Sequence, residues 1–133
     1  MSNPKLIQKG ILAFSLSEIV LGGLTFITTF STALTGLSQK PVNVMLFVLL
    51  SSTISFSLGI GLLCRRHYAR KFMVFFSGWI IMSKILVFTG IIALNGALVP
   101  ADSVVLINTI SIIYHAAALA FFHHPRIKAV FPS

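Results

Sequence analysis

Residues 11–32, ILAFSLSEIVLGGLTFITTFST, form an apolar run in which Glu18 is the only charged residue. About 20 predominantly apolar residues in a helix cross the hydrocarbon core of a bilayer, so this run predicts a membrane-spanning helix. Lys5 and Lys9 precede it, as basic residues precede the apolar core of a signal peptide. Because Glu18 interrupts the run and no small-residue cleavage site ends it, we interpret it as a retained first span.

The composition of the whole chain also indicates a membrane environment. Of its 133 residues, 56% are hydrophobic and only 9% are charged. A soluble domain carries roughly a quarter charged residues, and a disordered chain has low hydrophobicity. The composition therefore excludes both classes and predicts a polytopic membrane protein.

Three further apolar runs follow the first, and Pro41 and Asp102 stand where a helix start favours proline and a capping side chain. The connections are short, which favours antiparallel neighbours. We therefore predict an all-α membrane protein with four transmembrane helices in an antiparallel bundle. The chain is predicted to form a single domain, 1–133, with spans at about 11–32, 42–64, 72–94 and 103–122.

Basic residues predict the orientation of the bundle. The net charge is +8, and eight of the ten Lys and Arg residues fall on one predicted side of the membrane. These residues are Lys5, Lys9, Arg65, Arg66, Arg70, Lys71, Arg126 and Lys128. The positive-inside rule then places both termini in the cytoplasm, and we expect a bacterial inner (plasma) membrane protein.

The second loop is the most basic segment of the chain. We interpret Arg65, Arg66, Arg70 and Lys71 as contacts to anionic lipid headgroups. The alternative interpretation is a docking site for an acidic partner protein. Nucleic acid is not an expected partner, because the charges lie in short breaks between apolar runs.

Ionisable residues inside the predicted spans are candidates for function, because charge at membrane depth is costly. Glu18 and His115 fall at about the same depth, roughly 12 Å from one edge, and Lys84 and Asn108 lie deeper, at about 20 Å. Side chains tilt toward the start of their helix, which brings Lys84 toward Glu18. We predict a cluster in which Glu18 and Lys84 form an ion pair and His115 and Asn108 complete the hydrogen bonds.

Small and hydroxyl residues form stripes at helical spacing on three of the predicted spans. Such residues allow close helix approach and hydrogen bonds between helices. The predicted packing residues are Ser15, Gly22, Thr25 and Thr29 on the first span, Ser55 and Gly59 on the second, and Ser111 on the fourth. The second span carries another ridge, Thr53, Ser57 and Gly61.

Two interpretations of the cluster stay open: a buried ion pair that fixes helix packing, or a proton or cation site in a transport path. The chain has two acidic residues in total, and its one cysteine, Cys64, excludes an internal disulfide. Paired carboxylates and metal-ligand spacings are absent from the sequence, so we expect no enzyme activity, no metal and no cofactor. The expected function is a non-catalytic accessory or assembly subunit of a larger membrane complex, in contact with other membrane subunits. The alternative is a homo-oligomeric transporter or channel for protons, cations or small solutes using Glu18.

In its span count and its first-span glutamate, within Ser17-Glu18-Ile19-Val20, the chain resembles the small multidrug resistance family. That resemblance implies that Glu18 carries an exchanged proton and substrate. Lys84 and the basic second loop depart from the pattern of those transporters, and we assign no family from it.

Overall fold

The described chain is all-helical, as predicted. The computed structural model describes residues 4–37, 42–89 and 101–131, and only the backbone at Val87 and at 101–104. Four long helices follow one another, and a one-turn helix ends the described chain. They are α1 (Pro4–Leu34), α2 (Val42–Leu63), α3 (His67–Phe88), α4 (Ala101–His123) and α5 (Pro125–Lys128).

Three helical segments are long and apolar enough to cross a membrane: α1, α2 and the Val105–His123 part of α4. Large apolar side chains are exposed along them, which fits lipid as the surrounding medium. The described part of α3 is not among the three, and it carries Arg70, Lys71 and Lys84. The predicted third span extends to residue 94, and its last residues lie outside the described part of the chain.

Two helices, α1 and α2, end at a residue in the left-handed conformation. Gly36 follows α1 with a φ of 66°, the left-handed conformation that commonly ends a helix. Arg65 ends α2 in the same way with a φ of 51°. The Arg66 N–H donates to the Gly61 carbonyl, and the Arg65 N–H to the Leu62 carbonyl, both at 3.0 Å. These two bonds form a Schellman motif, which turns the chain sharply from α2 into α3.

The buried apolar side chains gather at one end of the helices, which we call the base. At the base, the N-terminal half of α1 meets the C-terminal part of α4. Phe14 contacts Phe121 and Phe122 with ring centroids 5.3 and 5.6 Å apart, and Phe122 contacts Phe131 at 6.3 Å. The core comprises Ile11, Leu58, Leu62, Ala69, Met73, Phe76, Ile80, Ala118, Phe122, Ile127 and Phe131.

Glycines set the close approach of α1 and α2. A Cβ atom on Gly22 would lie 2.6 Å from the Phe56 backbone nitrogen. One on Gly59 would lie 2.7 Å from the Ser15 carbonyl oxygen. Because these neighbours are backbone atoms, neither position accommodates a larger residue without separating the helices.

A candidate polar cavity between the helices

A cavity of about 450 Å³ lies between the four long helices, beyond the base along the helices. Its polar lining consists of Glu18, Lys84, Tyr114 and His115, together with Thr25 of α1 and serines of α2 and α4. The remaining wall is apolar. The lining residues are Glu18, Leu21, Gly22, Thr25, Phe47, Val48, Ser51, Ser52, Ser55, Phe76, Ile80, Lys84, Ile107, Ile110, Ser111, Tyr114 and His115.

Glu18 is held by hydroxyl groups from two other helices. It is 2% exposed, and both of its carboxyl oxygens accept hydrogen bonds. The Ser55 hydroxyl of α2 donates to Oε2, and the Tyr114 hydroxyl of α4 donates to Oε1 at 3.0 Å. Glu18 therefore connects α1 to both α2 and α4.

Lys84 has a different partner from the predicted one. Its Nζ donates to Asn108 Oδ1 at 2.7 Å, and the described residues contain no ion pair between Lys84 and Glu18. The depths predicted from the sequence give the physical reason, because Lys84 and Asn108 share a level about 8 Å from that of Glu18. Two polar groups on neighbouring α3 and α4 meet, and Glu18 is satisfied by hydroxyls instead.

His115 follows Tyr114 on α4, and its side chain is buried. Its Nδ1 lies 3.4 Å from the Ser77 hydroxyl oxygen on α3, and its ring meets Phe76 edge-on at a centroid distance of 6.1 Å. Together with Glu18 and Lys84, His115 lines the one cavity. The structure thus brings the three ionisable residues to a shared space without direct contacts between Glu18 and Lys84.

The predicted packing stripes divide into buried and exposed parts. Ser15 and Gly22 are buried, whereas Thr25 is exposed and Thr29 is half-buried. Ser55 and Ser111 are half-buried and line the cavity, and Gly59 packs against α1. The stripe on α1 therefore contacts protein only as far as the cavity.

Arg70 is placed differently from the other basic residues of the second loop. Arg65, Arg66 and Lys71 are exposed, as a headgroup contact requires. Arg70 is 6% exposed, and its Nη1 donates to the Phe122 carbonyl at 3.2 Å, at the C-terminal end of α4. The reason is that α3 begins at His67, which turns Arg70 toward α4 and Lys71 outward.

His67 borders this basic group at the base. Its Nδ1 is buried without a hydrogen-bond partner in the described structure. Burial, together with the positive charges of Lys71, Arg70 and Lys128, lowers the pKa of His67 below 6.5.

Sequence reasoning did not identify Tyr114 as a partner of Glu18. A tyrosine inside a span is itself a signal, because a buried tyrosine hydroxyl finds a polar partner. Residue spacing alone does not reveal that the partner is Glu18. In the described residues, no three His, Cys, Asp or Glu side chains gather in a way that suits a metal ion.

No family, curated protein or solved structure matches this chain.

Proposed function

We propose that this chain is a four-span integral membrane protein that acts as a non-catalytic accessory subunit of a larger membrane complex. In this proposal α3 from residue 72, with the residues that follow it, forms the third of the four spans, and both termini lie in the cytoplasm of a bacterial cell. Contacts at the base support this topology, because they join the start of α1, the turn between α2 and α3, and the end of α4. All eight basic residues of the predicted cytoplasmic side lie in these segments or directly beside them, in the first turns of α3 and in α5.

One observation carries the accessory role: the ridge on α2 that α1 does not cover. The first ridge packs against α1 through Gly59 and donates from Ser55 to Glu18. On the second ridge, Thr53 and Ser57 are exposed, whereas Gly61 packs against Ala69 of α3. Small residues are enriched where membrane helices meet, so this face is suited to a helix of another subunit.

The test is purification from native membranes in a mild detergent, comparing two bulky substitutions. Ser57→Phe fills the exposed ridge, whereas Ala117→Phe adds the same ring at an exposed position on α4. We expect a stoichiometric companion with the unaltered chain and with Ala117→Phe, and loss of that companion with Ser57→Phe. Recovery of the lone chain in every case contradicts the proposal.

The cavity favours a second candidate function, a homo-oligomeric transporter or channel for protons, cations or small solutes. Glu18 lines this cavity with Lys84 and His115, and ionisable groups at membrane depth mark many transport paths. Flux through liposomes containing the purified chain tests this function. Glu18→Gln must then abolish flux, whereas the exposed Tyr68→Phe must leave it unchanged. Normal flux through a folded Glu18→Gln variant contradicts it.

A further inference from the structure

We infer that the cavity binds a single-chain amphiphile, with the carboxylate of the ligand on Lys84 and its apolar body against the walls. This inference does not depend on the accessory role. It rests on the hydrogen-bonding capacity of Lys84, the enclosure of Glu18 and the shape and chemistry of the cavity wall.

Lys84 presents unused hydrogen-bond donors to the cavity. A lysine ammonium group has three N–H donors, and one of them is directed at Asn108 Oδ1. Among the side chains that the structure describes, Asn108 is the hydrogen-bond partner of Lys84, and it is a neutral amide. Two donors and an uncompensated charge match the two oxygens and the single charge of a carboxylate.

Glu18 does not offer a binding site to a cationic ligand. It is 2% exposed, and a hydroxyl group donates to each of its oxygens. A cation would have to displace Ser55 or Tyr114 to reach it. The charge that the cavity offers to a ligand is therefore the positive charge of Lys84.

The walls accept an apolar body. Leu21, Phe47, Val48, Ile80, Ile107 and Ile110 line the cavity from all four long helices. The cavity volume of about 450 Å³ lies within the range of small-molecule sites, about 300–1,000 Å³. An α-helix with its side chains is about 10–12 Å wide, so less than one turn would fit. The space suits an alkyl chain better than a helix of another protein.

Binding of oleic acid, oleyl alcohol and propionic acid to the purified chain in nanodiscs tests the inference. Native mass spectrometry counts the adducts, and titration gives the affinities. We expect oleic acid to bind one per chain. Oleyl alcohol is expected to bind about tenfold or more weakly, because it loses a charge-assisted hydrogen bond. Propionic acid is expected to bind weakly, because it has almost no apolar body.

Substitutions distinguish binding in the cavity from non-specific attraction to the positively charged residues at the base. Lys84→Met is expected to lose about tenfold or more in oleic acid affinity, whereas Lys71→Met removes an exposed base lysine and leaves the affinity unchanged. Ser51→Phe fills the cavity and is expected to abolish binding, whereas Ala117→Phe does not. If Lys84→Met does not fold, Lys84→Arg replaces it in the test. This variant keeps the positive charge and is expected to retain binding.

Three results overturn the inference. The first is equal binding of oleic acid and oleyl alcohol, and the second is equal binding of oleic acid and propionic acid. The third is an affinity that Lys71→Met lowers as much as Lys84→Met does, or that a folded Lys84→Arg variant loses.

Discussion

At the scale of single residues, the hydroxyl of Tyr114 has a role that the other tyrosine does not share. It donates to Glu18 Oε1 at 3.0 Å, whereas Tyr68 is 73% exposed at the base. We expect Tyr114→Phe to lower the free energy of unfolding by about 1–3 kcal/mol, because it leaves a buried acceptor without its donor. Tyr68→Phe is the matched control. Thermal unfolding in mild detergent measures both, and equal midpoints contradict the role given to Tyr114.

His67 gives the base a pH dependence. Its pKa is lowered from 6.5 by burial and by neighbouring positive charges, so the unfolded chain binds this proton more readily than the folded chain. Its contribution to stability is complete above about pH 6.5 and falls as the pH drops toward the lowered pKa. We expect the thermal midpoint to decrease between about pH 7 and about pH 5. His67→Gln must reduce that decrease. If this variant and the unaltered chain have the same dependence of the thermal midpoint on pH, His67 is not its cause.

Depth along the helices could be predicted from the sequence, but hydrogen-bond partners could not. Counting residues placed Lys84 level with Asn108, and these two side chains are bonded. Side-chain tilt was expected to bring Lys84 toward Glu18, whereas in the structure Glu18 accepts hydrogen bonds from Ser55 and Tyr114. The difference arises because Lys84 and Asn108 share a level about 8 Å from that of Glu18, so each polar group bonds to a partner at its own level.

At the scale of the helices, neighbouring glycines on α1 have opposite environments. A Cβ on Gly22 would meet the backbone of α2 at 2.6 Å, whereas one on Gly23 would meet the Phe56 ring at 3.5 Å, an ordinary contact. We expect Gly22→Ala to destabilise the chain by about 1–3 kcal/mol through overpacking. Gly23→Ala is expected to be neutral or stabilising by up to about 1 kcal/mol, because alanine favours helix. Thermal unfolding measures the stability of the two variants. An equal loss of stability in both contradicts the close contact between α1 and α2 at Gly22.

Helix boundaries show what residue patterns specify locally. Gly36 follows α1 with the left-handed φ that commonly ends a helix at a glycine. Arg65 adopts the same conformation without being glycine, and α3 therefore starts at His67, earlier than the predicted residue 72. Charge suggested that Arg70 belonged to a loop. The turn at Arg65 made it helical and buried, because chain geometry there outweighs the preference of a charged side chain for solvent.

At the scale of the whole molecule, the proposed topology has a natural probe. Cys64 is the one cysteine of the chain, and its thiol is exposed in the turn between α2 and α3. We expect a membrane-impermeant maleimide to label Cys64 only after intact cells are permeabilised. The positive-inside rule places that turn in the cytoplasm.

The matched control moves the thiol to the other end of the bundle. Thr35→Cys, in a chain that also carries Cys64→Ser, places it in the turn after α1, where residue 35 is exposed. Intact cells are expected to label this variant. Labelling of Cys64 without permeabilisation contradicts the proposed orientation.

The concentration of buried side chains at the base implies an uneven resistance to local opening. On α1 the buried positions end at Gly22, and along the first part of α2, from 42 to 51, none is buried. Amide hydrogens near Phe14, Leu62 and Phe122 should then exchange with deuterium only when the chain unfolds globally, and those around Thr25 and Phe47 through smaller fluctuations. An amphiphile entering the cavity from the bilayer would thus meet helix segments that separate transiently, while the base stays assembled and acts as a hinge.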